Sequence, residues 1–221
     1  MAGNHVVTFD RDRAALLLVD VQPDFMPGGA LAVAEADLLI EPLRELMESN
    51  IFQHYIATQD WHPPGHISFA SAHPGRKPME SIELYGHSQT LWPDHCVQGT
   101  PGAALHPELS WHKASVILRK GTDPRVDSYS GFRNNWDPRG QRPPTGLNGY
   151  LKDRRLNQLF ICGLARDVCV KWTAEDALQA GFRTWILWDL TRSVEPSGDE
   201  ALRENLIARG IEVIVLKQLK R

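Results

Sequence analysis

The residues able to do chemistry fall into two groups. The first centres on Cys169, within Leu159-Phe-Ile-Cys-Gly-Leu-Ala-Arg-Asp-Val-Cys-Val170. The run from Leu159 to Cys162 has strand length, and a glycine-bearing turn follows it. From Asp167 onward, Val168, Trp172 and Ala177–Leu178 share roughly one helical face. Asp167 is placed to cap that helix. Cys169 then sits in a first helical turn, just beyond the carboxyl end of a strand. Free N–H groups and the positive helix end favour an anion there, and a thiol in that field loses its proton more readily. A free cysteine is also among the most buried residue types, so position alone leaves a packing role open. A nucleophile needs a base and an orienting charge. Asp20 and Lys120 each close an apolar run, Ala14 to Asp20 and Ala114 to Lys120. Alone, Asp20 reads equally as a cap or turn acid, with Asp24 the better turn acid, and Lys120 as a solvated lysine.

The second group is a set of carboxylate and imidazole donors. Six of the nine histidines fall between His54 and His95, in a stretch whose prolines, glycine and turn residues read as loop. Asp60 and His62 are two apart, His66 follows closely, and His95 comes from a separate loop. Such a set suits zinc, iron or manganese in an open site. Surface histidines holding no metal are the other reading. Cys96 adjoins His95, but adjacent side chains usually diverge, so it reads as packing.

These residues must be positioned by elements. Six strands are expected, over 14–20, 52–58, 113–120, 159–162, 182–188 and 211–216. Helical periodicity covers 35–49, where Pro42 moves the start to near Leu39 with Asp37 as cap. A short helix is expected over 148–152, and another over 197–209 with Ser197 as cap, Glu200 at the capping-box position and Gly210 closing it. Strands alternating with helices predict a doubly wound, three-layer α/β fold on a six-stranded parallel sheet. The proline- and glycine-rich stretch 134–146 looks the least ordered, and suits a lid or an oligomer contact.

Composition bounds the rest. A chain of 221 residues, 42% hydrophobic, suits one α/β domain over 1–221, with a metal-binding loop region at about 59–102. The net charge of −3 carries no nucleic-acid footprint. No apolar run is long enough to cross a membrane. Met1-Ala-Gly-Asn-His has no basic-then-apolar leader pattern. Three cysteines without framework spacing point to a reducing cytoplasm. Trp111, Trp136 and Trp185 offer surface for a homo-oligomer.

In a doubly wound sheet the carboxyl ends of the strands share one rim, so Asp20, Lys120 and Cys169 can meet there. Cysteine as nucleophile, carboxylate as proton carrier and ammonium as charge partner describe acyl transfer through a thioester, hence amide or ester hydrolysis. The turn before Cys169 supplies backbone N–H groups for an oxyanion.

Six segments, in order, now carry a resemblance. They are Val19-Asp-Val-Gln-Pro-Asp-Phe25, Thr58-Gln-Asp-Trp-His-Pro-Pro-Gly-His66, Trp92-Pro-Asp-His-Cys-Val-Gln-Gly-Thr-Pro-Gly102, Lys120-Gly121, Tyr129-Ser-Gly-Phe132 and Gly163-Leu-Ala-Arg-Asp-Val-Cys-Val170. Together they resemble the nicotinamidase/pyrazinamidase family of isochorismatase-like cysteine hydrolases. The resemblance implies a metal-dependent amidase converting nicotinamide to nicotinate and ammonia in NAD salvage, with pyrazinamide as a further substrate. It implies Asp20, Lys120 and Cys169 as the triad, and Asp60, His62 and His95 as metal ligands. His66 matches a histidine that ligates in only some members. Phe25, Trp92 and Tyr129 match aromatic walls around the ring, and the Ala165 and Cys169 N–H groups match the oxyanion hole, with Leu164–Ala165 cis. The metal implied is divalent, zinc first, with iron or manganese as alternatives, and it holds the ring nitrogen. Two departures stand out: Arg166 where the family often has threonine, and Val168 where it often has histidine. Isochorismate-cleaving relatives lack the cysteine. A metal-free carbamoyl hydrolase of the same fold, or a non-catalytic protein on it, would not need all of these residues.

Overall fold

The computed structural model describes residues 6–219; the leader reading of Met1 to His5 lies outside them. The sheet is six-stranded and all parallel. Its strands are β1 Ala14–Val19, β2 His54–Asp60, β5 Ala114–Lys120, β6 Gln158–Leu164, β7 Arg183–Arg192 and β8 Glu212–Ile214, and its order is β5-β2-β1-β6-β7-β8. Numbered by sheet strand alone, that is the doubly wound order 3-2-1-4-5-6, which reverses direction between β1 and β6. A crevice opens at such a reversal, outside the carboxyl ends of the strands.

β1 is central, and every residue in it is fully buried. Its alternate side chains feed two separate cores. Leu16 and Leu18 pack with Leu43 and Met47 of helix α1 (Ile40–Glu48) and with Phe160 and Trp185. Ala15, Leu17 and Val19 pack with Leu147 and Leu151 of α2 (Leu147–Asp153), Ala174 and Ala177 of α3 (Lys171–Gln179) and Leu206 of α4 (Asp199–Ala208). Helices therefore cover both faces, giving three layers. No helix among the described residues is long and apolar enough to cross a membrane.

Several local expectations are corrected. The stretch 81–90 is not loop but an antiparallel hairpin, β3 Ser81–Leu84 and β4 His87–Thr90. Tyr85 and Gly86 join them with φ of 52° and 80°, the pair of positive values that a tight hairpin turn needs. α1 begins at Ile40 after a 3-10 turn over Ala36–Leu39, and Asp37 does not cap it. Pro42 thus falls within the first helical turn, where it is tolerated. Ser197 lies in a 3-10 turn ahead of α4, with the Glu195 side chain accepting its N–H; Gly198 holds the cap position. β7 runs on through Asp189, whose carboxylate accepts the Leu216 N–H at 3.0 and 3.1 Å. Trp185 is no interface residue: it is fully buried, stacked on Phe160 at 4.4 Å. The 134–146 stretch is ordered by side chains, with the Asp137 carboxylate accepting the N–H groups of Arg139 and Gln141 at 2.8 and 3.0 Å.

Candidate active site

Asp20 follows β1, Lys120 ends β5 and Cys169 lies one helical turn beyond β6, and the sheet brings all three together at its carboxyl rim. Lys120 Nζ is 2.8 Å from Asp20 Oδ2 and 3.4 Å from Cys169 Sγ, and also contacts the Asp60 carboxylate and the Ser128 carbonyl oxygen. The Thr58 hydroxyl donates to Asp20 Oδ1 at 2.7 Å. Asp20 Oδ2 has no aligned hydrogen-bond donor among the described residues, although the lysine charge lies beside it. One carboxylate oxygen is therefore tied down and the other is left able to take a proton.

Burial sets the protonation states. It raises the Asp20 pKa to about 6; Lys120 opposes the rise and Asp60 adds to it. Burial alone would lower the Lys120 pKa, but Asp20 and Asp60 overcome it and hold the ammonium charged well past its usual range. Burial also pushes the Cys169 thiol well above its ordinary value, opposed by Lys120 and reinforced by both carboxylates. This corrects the expectation of a thiol acidified by a helix end. Desolvation and the two nearby carboxylates favour the protonated thiol at rest.

The helical start is also built differently from the expectation. Arg166–Val170 forms a π-turn before α3, and Asp167 is not its cap. The Asp167 carboxylate instead accepts the N–H groups of Val194 and Glu195, both at 2.9 Å. Arg166 turns away from the cleft and is buried, donating to the Thr191 hydroxyl, to the carbonyls of Trp188 and Thr191, and to Asp199. The unusual Arg166-Asp167 pair thus anchors the chain after β7. The Leu164–Ala165 peptide is cis.

Asp60, His62 and His95 converge beside Asp20, Lys120 and Cys169. Asp60 Oδ2 lies 3.7 Å from His62 Nε2 and 3.8 Å from His95 Nε2. The opposite ring nitrogens, Nδ1, face carbonyl oxygens, Gly121 at 3.2 Å and Pro93 at 2.8 Å. A carbonyl only accepts, so Nδ1 carries a hydrogen and each Nε2 is the ring atom turned toward Asp60, the position from which it would ligate a metal. That donor set fits a divalent transition metal. Gly121 is required there, because a Cβ at that position would lie 2.4 Å from the His62 ring. His66 stands against His62, with ring centroids 4.4 Å apart, but its Nε2 is 2.9 Å from the Asp123 carbonyl and its Nδ1 2.8 Å from the Ser68 hydroxyl. Both its nitrogens are engaged in these contacts; it falls outside the Asp60–His62–His95 group but meets His62 and Asp127 in a second set of converging ligand atoms.

A narrow cleft opens between the two groups. Phe25, Trp92 and Tyr129 form walls, Val168 and Val194 close another side, and Cys169 reaches in. Trp92 and Tyr129 meet edge to face at 6.1 Å, and the Tyr129 oxygen accepts from Trp92 Nε1 and Gln89 Nε2 at 3.1 and 2.9 Å. Cys96 is buried packing, its N–H donated to Asp24, which serves as the turn acid. Sequence reasoning passed over Thr58, Val194, Asp127 and Gln22. Gln22 is fully buried, and its amide pairs both ways with the Asp60 backbone at 2.8 Å. A polar residue two positions past Asp20 was the available signal for it. Val194 offered none, since a distant carboxylate carries it to the cleft.

Comparison with known proteins shows the family. Residues 14–218 match the family model described as Isochorismatase domain. A nicotinamidase of Acinetobacter baylyi is 43% identical over 204 residues, 92% of either chain. A nicotinamidase of Escherichia coli is 46% identical over 81% of this chain and 83% of its own. Among solved structures, a nicotinamidase/pyrazinamidase of Acinetobacter baumanii superposes with a TM-score of 0.86 at 43% identity, covering 92% and 96% of the two chains. PnC1 of L. infantum, solved with nicotinate, gives 0.84 at 34% identity over 97% and 98%. A pyrazinamidase of Pyrococcus horikoshii, solved with zinc, gives 0.72 at 36% identity over 92% and 99%. The chain therefore belongs to the isochorismatase-like hydrolase family, in its nicotinamidase/pyrazinamidase branch.

Proposed function

We propose that the protein is an amidase that hydrolyses nicotinamide to nicotinate and ammonia, and pyrazinamide by the same route. The single observation that carries this reading is the buried Asp20–Lys120–Cys169 cluster opening into an aromatic-walled cleft beside Asp60, His62 and His95. Relatives named as nicotinamidases, and a structural neighbour holding nicotinate, support the substrate class.

The steps follow from the protonation states. Asp20 takes the thiol proton as Cys169 Sγ attacks the carboxamide carbon, and the Lys120 charge steadies both anions. The developing oxyanion meets the N–H groups of Ala165 and Cys169. Asp20 returns its proton to the amide nitrogen, the C–N bond breaks, and ammonia leaves a Cys169 thioester. Water then attacks the thioester, Asp20 accepts its proton, and the Cys169 sulfur leaves and is reprotonated, releasing the carboxylic acid. Phe25, Trp92 and Tyr129 hold the flat ring and exclude water. Asp60, His62 and His95 would hold a divalent metal, zinc by first choice with iron or manganese as alternatives, which supplies a Lewis-acid anchor for the ring nitrogen and fixes orientation.

The test is ammonia release from nicotinamide, measured before and after chelation and again with metal restored. Loss on chelation and return with metal supports both halves of the reading. Activity indifferent to a metal loss verified by elemental analysis would remove the anchoring role. A protein that releases no ammonia from nicotinamide in any state would overturn the substrate.

A further inference from the structure

The stretch 134–146 reaches the cleft wall without lining the cleft. At its start, Asn135 N donates to the Asp127 carbonyl at 2.8 Å, and Asn135 Oδ1 accepts the Tyr129 N–H at 3.3 Å. At its far end, Arg142 makes a two-pronged pair with Asp176 of α3, 2.8 Å on each prong, and Asp176 is buried. The same guanidinium lies 4.9 Å from the Trp172 ring and 5.4 Å from the Trp136 ring. Trp172 then meets Tyr129 edge to face at 5.3 Å. Trp136 meets Trp172 at 5.8 Å and stacks on His87 of β4 at 3.9 Å. β4 also carries Gln89, the donor to the Tyr129 oxygen.

Tyr129 is thus held at its backbone, at its ring edge and at its hydroxyl, and each hold runs back to residues of this stretch. The exposed tip, Pro138 to Gln141, adds nothing to either core. A bidentate guanidinium that also lies over aromatic rings is a rigid joint, because its planar fork fixes orientation as well as distance.

We propose that the 134–146 stretch is a positioning brace. Through Trp136 and Arg142 it fixes the Tyr129 wall relative to α3, the helix that continues directly from the π-turn carrying Cys169, and so sets how tightly a flat aromatic carboxamide is held. The proposal rests on the carboxamide reading above. Trp136 and Arg142 are positioning residues acting through Trp172 and Tyr129.

Two variants test it. Trp136→Ala removes the stack and keeps the Arg142–Asp176 pair; Arg142→Lys keeps the charge on Asp176 and loses the fork and the flat face. For each, KM for nicotinamide is expected to rise about 10-fold with kcat within about two-fold of the parent, the pattern of lost binding shared by ground and transition states. The Tyr129 backbone amide should exchange hydrogen faster, with β1 amides unchanged. An unaltered KM, a fall in kcat at constant KM, or a KM rise accompanied by faster exchange throughout β1 would overturn the brace. Parent enzyme that releases no ammonia from nicotinamide would overturn the substrate reading instead. Exchange at Tyr129 then decides the brace separately: unchanged exchange in both variants overturns it, and faster exchange confined there supports it.

Discussion

Asp20 and Lys120 form an ion pair with no solvent contact at either side chain, 2.8 Å between Oδ2 and Nζ. Its members are not equal. Lysine stays charged, while burial leaves the carboxyl with a pKa of about 6. In the mechanism proposed above, with the Cys169 thiol protonated at rest, ionised Asp20 is the group that must be present for attack. Below about 6 it becomes protonated and cannot accept the thiol proton, so kcat/KM should fall as pH drops through that value. A profile flat down to the ordinary carboxylate range, near 4, would show that Asp20 is not the base. Asp20→Asn should lower kcat by about 10²-fold or more at every pH.

Thr58 gives a finer control on the same group. Its hydroxyl donates to Asp20 Oδ1 at 2.7 Å and so favours the ionised form. Thr58→Val removes the donor at nearly constant volume. The Asp20 pKa should rise, and the acid limb of kcat/KM should move to higher pH. A limb that stays in place while kcat falls would mean that Thr58 acts on geometry and not on the proton.

His62 depends on a neighbour with no side chain. In Gly121→Ala the new Cβ would have to share space with the imidazole, now 2.4 Å away, and φ at this position is +67°. The ring must tilt, or the Gly121 carbonyl that fixes its tautomer must move. Metal affinity, measured by competition with a chromophoric chelator, should weaken about 10–100-fold, the usual effect of disturbing a ligand's supporting hydrogen bond. Unchanged metal affinity with a normal fold would separate His62 from the metal.

Legibility in the sequence followed locality. β1 was readable because a strand buried on both faces is a continuous apolar run, and Asp20 marks where it stops. β7 was read short because Asp189 and Thr191 break the apolar pattern, although their partners keep the strand going. The β3–β4 hairpin was missed because its short strands are mostly polar, with half-buried side chains, so Tyr85-Gly86 was its main signal. The site's residue types were readable one by one, but the charge state of Cys169 was not. That state depends on burial and on Asp20, Asp60 and Lys120, which only the sheet brings near. Asp167 shows the same limit: its type suits a cap, while its partners lie 27 and 28 residues away.

Asp167 therefore supplies the last test. Its two oxygens accept successive N–H groups at Val194 and Glu195, and Val194 is cleft wall. Hydrogen bonds to an ionised acceptor contribute about 1.5–3 kcal/mol each, but Glu195 is exposed and water can replace the carboxylate there. In Asp167→Ala only the half-buried Val194 bond is fully lost. The expected loss is about 1–2 kcal/mol, or roughly 2–8 °C in melting temperature for a chain of this size. The Val194 wall would also loosen, raising KM for nicotinamide. Asp167→Asn keeps one acceptor oxygen and should recover part of both effects. If alanine left melting temperature and KM unchanged, the Asp167 carboxylate would not be what holds Val194 against the substrate.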